Sequence, residues 1–178
     1  YIQSGLWKLR LIPRSIRNGR YDMWLPAQGA LNFGTGFTSP DSASTFTIPS
    51  AAAKAVTVGA YDAGTGSAAP FSGRGYIVEI GGSLMVKPEL AAPGVNVLVP
   101  SVSGMARVSG TSYATPFVTG SAALLMEWGI VRGNDAFLYG EKLKAYLIKG
   151  AEPLAGAAVP DTQTGWGRLC LKNSLPQA

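Results

Sequence analysis

The sequence has no histidine in its 178 residues and one cysteine, Cys170. The first absence removes the usual general base, the commonest metal ligand and the side chain that titrates near neutral pH. The second excludes a disulfide within the chain and any cysteine-cluster metal site. No metal and no cofactor is therefore expected. Charge is also scarce: 14% of residues are charged and 47% are hydrophobic. A disordered chain needs the opposite balance. No apolar run approaches the ~18 residues of a transmembrane helix. No basic-then-apolar leader opens the chain, and Tyr1 in place of an initiator Met reads as a processing boundary. Neither a membrane nor a signal segment is expected.

Glycine and proline are plentiful, at 23 and 12 residues. They predict many turns and close backbone approaches rather than a helix bundle. The formal net charge is +5, and it arises in the first twenty residues, from Lys8, Arg10, Arg14, Arg17 and Arg20. Such a cluster suits a nucleic-acid surface. It also suits a strand, because Trp7, Leu9 and Leu11 alternate with Lys8 and Arg10. The strand is the better reading, and no nucleic-acid partner is expected.

Along the chain, Asn18-Gly19 predicts a hairpin turn joining Arg14–Arg17 to Arg20–Trp24, with Pro26 ending the second run. Residues 27–46 read as loop and short strands, with Phe33, Phe37 and Phe46 spaced among them. The uncharged run Ala55–Ala60 suits a strand buried on both faces of a parallel sheet. Ile77–Ile80 and Val95–Val99 are further strands. Ser112–Trp128 has helical spacing, with Gly129 just past its end. A second helix starts at Asp135 or Gly140 and ends at Lys149, with Gly150 as its C′ residue. Strands followed by helices predict α/β architecture.

One segment carries chemistry: Ser109-Gly110-Thr111-Ser112-Tyr113-Ala114-Thr115-Pro116. Gly110 allows a tight backbone turn. Ser112 then stands at a helix start, where amide hydrogens are unpaired and the dipole favours negative charge. A serine oxygen attacking a carbonyl there creates an oxyanion, and its own N–H can help to bind it. Ala114 leaves room, and Pro116 is expected to mark where the helix begins. A lone serine here would equally be an ordinary N-cap.

The whole string resembles the nucleophile motif of the subtilisin-like serine peptidases (subtilases), Gly-Thr-Ser-x-Ala-x-Pro. It is carried here by Gly110, Thr111, Ser112, Ala114 and Pro116. Lys87-Pro88-Glu89-Leu90-Ala91-Ala92-Pro93-Gly94-Val95 is similar to a second subtilase block, and Val56–Ala60 with Phe71–Gly75 to a third. Ala114–Gly120, Met126–Ile130, Tyr139–Lys142 and Gly165-Trp166-Gly167 look like the clostridial germination-protease (Csp) branch. That branch carries a jelly-roll insertion, and Gly5-Leu6-Trp7 and Gly19–Pro26 look like its last strands.

The resemblance implies an α/β fold: the C-terminal part of a subtilisin-like parallel-sheet domain, preceded by the end of a β jelly-roll-like insertion. The expected division is residues 1–46 as the tail of the insertion and 47–178 as peptidase domain. Ser112 would be the nucleophile, with its N–H to the oxyanion, and Pro49 and Ser50 would lie at the wall of the substrate pocket. The implied partner is a protein or peptide substrate, such as the zymogen of a spore-cortex hydrolase. The implied location is spore-associated or secreted.

The family's Asp and His blocks and its oxyanion Asn lie upstream of the matched region. Asp62 and Asp135, and Asn96 and Asn134, stand outside those contexts. Lys54 and Lys87, the lysines near the matched blocks, read as solvated, which leaves Ser112 without a base. Two readings remain open. Either a preceding portion of the same protease supplies Asp, His and Asn, or the chain belongs to a pseudoprotease that acts as a binding or signalling scaffold in germination, a branch that includes inactive members.

Overall fold

An uncharged, β-branched run needs cover on both faces, and the run ending at Ala60 has it. In the computed structural model, which describes residues 3–19, 21–26 and 28–176, seven strands and three α-helices follow in chain order. They are β1 (Val58–Asp62), β2 (Ser67–Ala68), β3 (Tyr76–Ile80), β4 (Ser83–Lys87), β5 (Leu90–Pro93), β6 (Val97–Ser101), β7 (Gly104–Val108), α1 (Thr111–Met126), α2 (Gly140–Lys149) and α3 (Leu171–Ser174). Strand β1 buries Val58, Gly59, Ala60 and Tyr61. It pairs in parallel with β5, Val58 opposite Leu90 and Tyr61 opposite Pro93. The far edge of β5 is closed by residues 166–169, through Trp166 N–H to Glu89 O and Leu169 N–H to Ala91 O, at 2.9 and 2.8 Å.

The other edge of β1 is expected to stand open, since the matched blocks supply only later strands. It is closed in part. The two residues of β2 pair with Tyr61 and Asp62. Ala69 N–H donates to Ala60 O at 2.9 Å, and the buried Ser72 hydroxyl accepts from Ala60 N–H at 3.0 Å. The pairs β3–β4 and β6–β7 are separate antiparallel hairpins.

Helix α1 covers the parallel pair. Ala114, Val118 and Leu125 join Val58, Ala60, Leu90 and Ala92 in one apolar core, with Leu138 and Leu147. The helix starts at Thr111, and it does not stop at Trp128: it continues as a π-helical turn, Glu127–Val131. Gly129 therefore lies inside the helix and is buried. Its role is close approach, because a Cβ there would meet Leu138 Cδ2 at 2.8 Å. The joined helix, Thr111–Val131, has 21 residues and is long and apolar enough, by length and composition alone, to cross a membrane. That corrects the expectation that no run approaches such a length; here the helix serves as the core helix over β1 and β5. Helix α2 ends as expected, but Gly150 has φ −84°, right-handed. Glycine is needed there for room, since a Cβ would strike the Ser174 backbone.

By their internal contacts the residues fall into two units, Tyr1–Gly36 and Phe37–Ala178. The first differs from the β-structure its alternation predicts. Its described residues form no strand, only a 3-10 turn at Gln28–Ala30. Leu9 is 72% exposed, and Trp7 and Leu11 are exposed with it. A lone two-stranded hairpin is marginal in water. Arg20, which the expected Asn18-Gly19 hairpin includes, lies outside the described residues. Within the second unit, residues 37–46 form no strand either.

Candidate active site

The candidate serine sits where the parallel pair ends. Gly94, the residue after β5, donates its N–H to Tyr61 O at 3.0 Å and accepts from Gly110 N–H at 2.8 Å. Asn96 N–H donates to Ser109 Oγ at 2.9 Å. The β6–β7 hairpin is thus pinched at its base, and the turn into α1 is fixed against the carboxyl ends of β1 and β5. Crevices outside the carboxyl ends of parallel strands are where open α/β sheets bind ligands. Gly94 must be glycine: a Cβ would stand 2.6 Å from Ala60 Cβ. Gly110 must be too, with φ 153° and ψ 155°, a region closed to other residues.

Gly110 is the N-cap of α1, and no side chain caps the helix. Ser112 is the second helical residue and is exposed. An ordinary N-cap role is therefore excluded. Among the described residues its hydroxyl has no hydrogen-bond partner. Its N–H belongs to the first turn, whose amides lack helical acceptors. Pro116 lies one turn further in than expected, as the sixth helical residue. Having no N–H, it leaves Ser112 C=O without the usual i+4 donor. Thr111 starts the helix, and its carbonyl accepts from Thr115 Oγ1 at 3.0 Å. Ala114 is fully buried against the core, so the helix start rests directly on the sheet.

Among the described residues no base accompanies Ser112. Asp62 caps its own turn through Gly64 N–H at 2.8 Å. Asp135 is engaged by Lys142 at 2.6 Å. Lys54 is exposed, as expected. Lys87 is not solvated, which corrects the sequence reading. It is 0% exposed and paired with Glu89, itself 2% exposed, at 2.7 Å. Its Nζ also donates to Ala55 O at 2.7 Å and Thr57 Oγ1 at 3.1 Å. Burial holds the Lys87 ammonium below the usual lysine range, with Glu89 opposing. None of these partners is Ser112.

The cluster extends to Lys144 of α2, 14% exposed, whose Nζ also contacts Glu89 Oε1. Glu89 Oε2 accepts from Thr57 N–H at 2.7 Å. Oε1 makes no hydrogen bond of good angle but lies between the two ammonium groups. Sequence reasoning missed this cluster. Lys87 and Glu89 stand on either side of a bend at Pro88, between the end of β4 and the start of β5, so no strand or helix period in the sequence pairs them, and Lys144 comes from α2.

The pocket candidates lie at the other end of β1. Pro49 is exposed and Ser50 half-buried, in a turn where Ala51 N–H donates to Thr47 O at 3.0 Å. Ser50 O accepts from Thr57 Oγ1 at 2.6 Å. Among the described residues no hydrogen bond joins this turn to Ser112. An apolar groove of about 190 Å³ opens between β1, α1 and α2, lined by Val58, Val118, Ala122, Leu143 and Leu147 with Lys144. The described residues hold no cluster of His, Cys, Asp or Glu that could bind a metal.

The model of the subtilase family matches residues 18–167. The structure of the CspB protease of Clostridium perfringens is similar, with TM-score 0.72 and 44% identity over 81% of this chain and 30% of that one. The self-cleaved protease domain of PatA is similar at TM-score 0.54 and 30% identity, over 71% of this chain and 42% of that one. The PII-type proteinase of Lactococcus lactis subsp. cremoris is 38% identical over 67 residues, 37% of this chain and 4% of the proteinase. The chain thus spans less than half the length of each. A matched family model over most of the sequence, the CspB-like fold and the Gly110–Pro116 turn agree: the chain belongs to the subtilase family.

Proposed function

We propose that the chain is the nucleophile-bearing, C-terminal part of a serine endopeptidase that cleaves protein or peptide substrates through an acyl-enzyme. Ser112 attacks the scissile carbonyl, and its N–H contributes to the oxyanion hole. Gly110, Thr111, Ala114 and Pro116 shape the turn, and Pro49 and Ser50 stand at the substrate pocket. Residues 47–178 are the peptidase part, and 1–46 the tail of a β-rich insertion. A preceding portion of the same protease supplies Asp, His and the oxyanion Asn. The observation that carries this reading is Ser112 itself: exposed, without a side-chain hydrogen bond among the described residues, and two residues into a helix fixed at the carboxyl ends of two parallel strands. The large apolar side chains left exposed on α1, among them Phe117 and Leu124, fit a helix that further protein would cover. The resemblance of its motifs to the clostridial Csp branch supports a spore-associated or secreted setting.

The absence of histidine favours a second reading, a pseudoprotease serving as a germination scaffold. Fluorophosphonate labelling separates the two. The chain alone should label slowly or not at all, and its peptide turnover should lie about a millionfold below a complete subtilase, the loss that removing the histidine causes in subtilisin. With the preceding portion supplied, Ser112 should label, and Ser112→Ala should abolish it. A completed, folded protein that resists the probe would establish the scaffold reading. Turnover by the chain alone within a hundredfold of a complete subtilase, lost in Ser112→Ala, would overturn the fragment reading.

A further inference from the structure

Burying two ammonium groups around one carboxylate is costly, and apolar residues of the same volume are often as stable or more so. The contacts of Lys87 and Lys144 point to what the charges hold. Both reach the turn that leads into β1. Lys144 Nζ donates to Ala53 O at 2.8 Å across a separation of 91 residues, and to Ala55 O at 3.5 Å. Lys87 Nζ donates to Ala55 O as well, and to the Thr57 hydroxyl that in turn donates to Ser50 O. Tyr76 OH donates to Ala51 O at 3.1 Å. The carbonyls of Ser50, Ala51, Ala53 and Ala55 are therefore all held by side chains from outside the turn. Glu89 keeps both ammonium groups in place and ties Thr57 N–H to the same cluster.

We infer that Lys87, Glu89 and Lys144 are positioning residues for the segment 47–55, and through it for the substrate. The cluster fixes the backbone from Ser50 to Ala55, and with it the position of the adjoining Pro49. The link to substrate rests on the proposed role of Pro49 and Ser50; the hold on the turn does not. Loops have few ordering contacts of their own, so a wall built on one needs such support.

Lys144→Met tests the inference, because its stem lines the apolar groove and methionine preserves that packing. Amide hydrogen exchange is measured on the full chain. Removing a charged hydrogen bond should speed exchange at Ala51, Ala52 and Ala55 by about tenfold. Gly150 and Ala151, at the end of the helix that bears Lys144, should be unchanged. Unchanged exchange at 51–55, or equal acceleration at Gly150 and Ala151, would overturn the hold on the turn. Alkylating Lys144→Cys with bromoethylamine, in a Cys170→Ser background, restores an amine and should restore slow exchange. In the protease completed with its preceding portion, Lys144→Met should raise KM several-fold and leave kcat within about twofold, the pattern of lost uniform binding. Faster exchange with unchanged KM would overturn the link to substrate. If the completed protein is inactive, the exchange result still decides whether the cluster holds the turn.

Discussion

Leu9 and Val58 both sit in runs that read as strands, and they end differently. Leu9 alternates with Lys8 and Arg10, and the whole run is exposed without strand pairing. Val58 is buried in a strand with a parallel neighbour on one side and α1 packed on its face. The difference lies in partners rather than propensity. Strand preference is mostly a measure of fitting a pleated, half-buried surface. Residues 58–62 have Leu90–Pro93 and the Ser72 hydroxyl to complete their edges; among the described residues of the first unit, residues 6–11 have no strand partner. The part of the chain that bears Ser112 is the part with a core.

The comparison is most exposed to the same deletion made in both regions. Leu125 is fully buried on α1, among the residues packed over β1 and β5. Leu125→Ala should lower stability by about 2–5 kcal/mol in urea unfolding, from lost transfer energy plus a residual cavity. Leu9→Ala should change it by no more than about 0.5 kcal/mol. Comparable losses would mean that the first region contributes a packed core of its own, and the contrast would fail.

A subtler test concerns edges. Ser72 is buried, and its hydroxyl is the acceptor for Ala60 N–H. Ser72→Ala leaves that amide buried without a partner and should lower stability by about 1–3 kcal/mol. In the first region the exposed Trp7 indole N–H donates to Gln3 O at 3.0 Å. Trp7→Phe loses that bond to water and should shift stability by about 0.5 kcal/mol or less. A neutral Ser72→Ala would mean that β1 finds its edge partner elsewhere.

These contrasts also mark what the sequence disclosed. The buried strand, the two helices and the serine turn were legible, because each rests on a local rule: β-branched runs, helical spacing, glycine before a helix. The π-helical turn around Gly129 was not, since it depends on Leu138 packing where a Cβ would stand. Nor was the burial of Lys87, which depends on Lys144 and Glu89 meeting from distant segments. The exposed basic run was misread for the same reason: alternation shows that a strand could form and is silent on whether a neighbour exists.

The smallest expected effect concerns pH, and it belongs to the second unit. The hydrogen bond from Lys142, at 2.7 Å, holds the Asp135 carboxyl below its usual range. Burial opposes this, and Phe137 N–H and the Tyr146 hydroxyl add to it. The same bond raises Lys142 above the ordinary lysine range. A carboxylate with a lowered folded-state pKa contributes stability that is full above its unfolded value, 3.8, and is lost as pH falls through the folded value. An amine with a raised pKa contributes stability that is full below 10.5 and is lost as pH rises through the folded value. One pair therefore stabilises a plateau and declines on both flanks. Glu152, held low chiefly by Arg168, adds to the acid flank alone, below 4.5. Asp135→Asn should make both flanks shallower in unfolding followed from pH 2 to 12, and Glu152→Gln only the acid one; Tyr61, held above its usual range chiefly by burial, keeps part of the alkaline decline in both variants. An Asp135→Asn profile whose alkaline decline is as steep as that of the unsubstituted chain would show that Lys142 draws its stabilisation from another group. The acid and alkaline limits of this unit would then have separate origins.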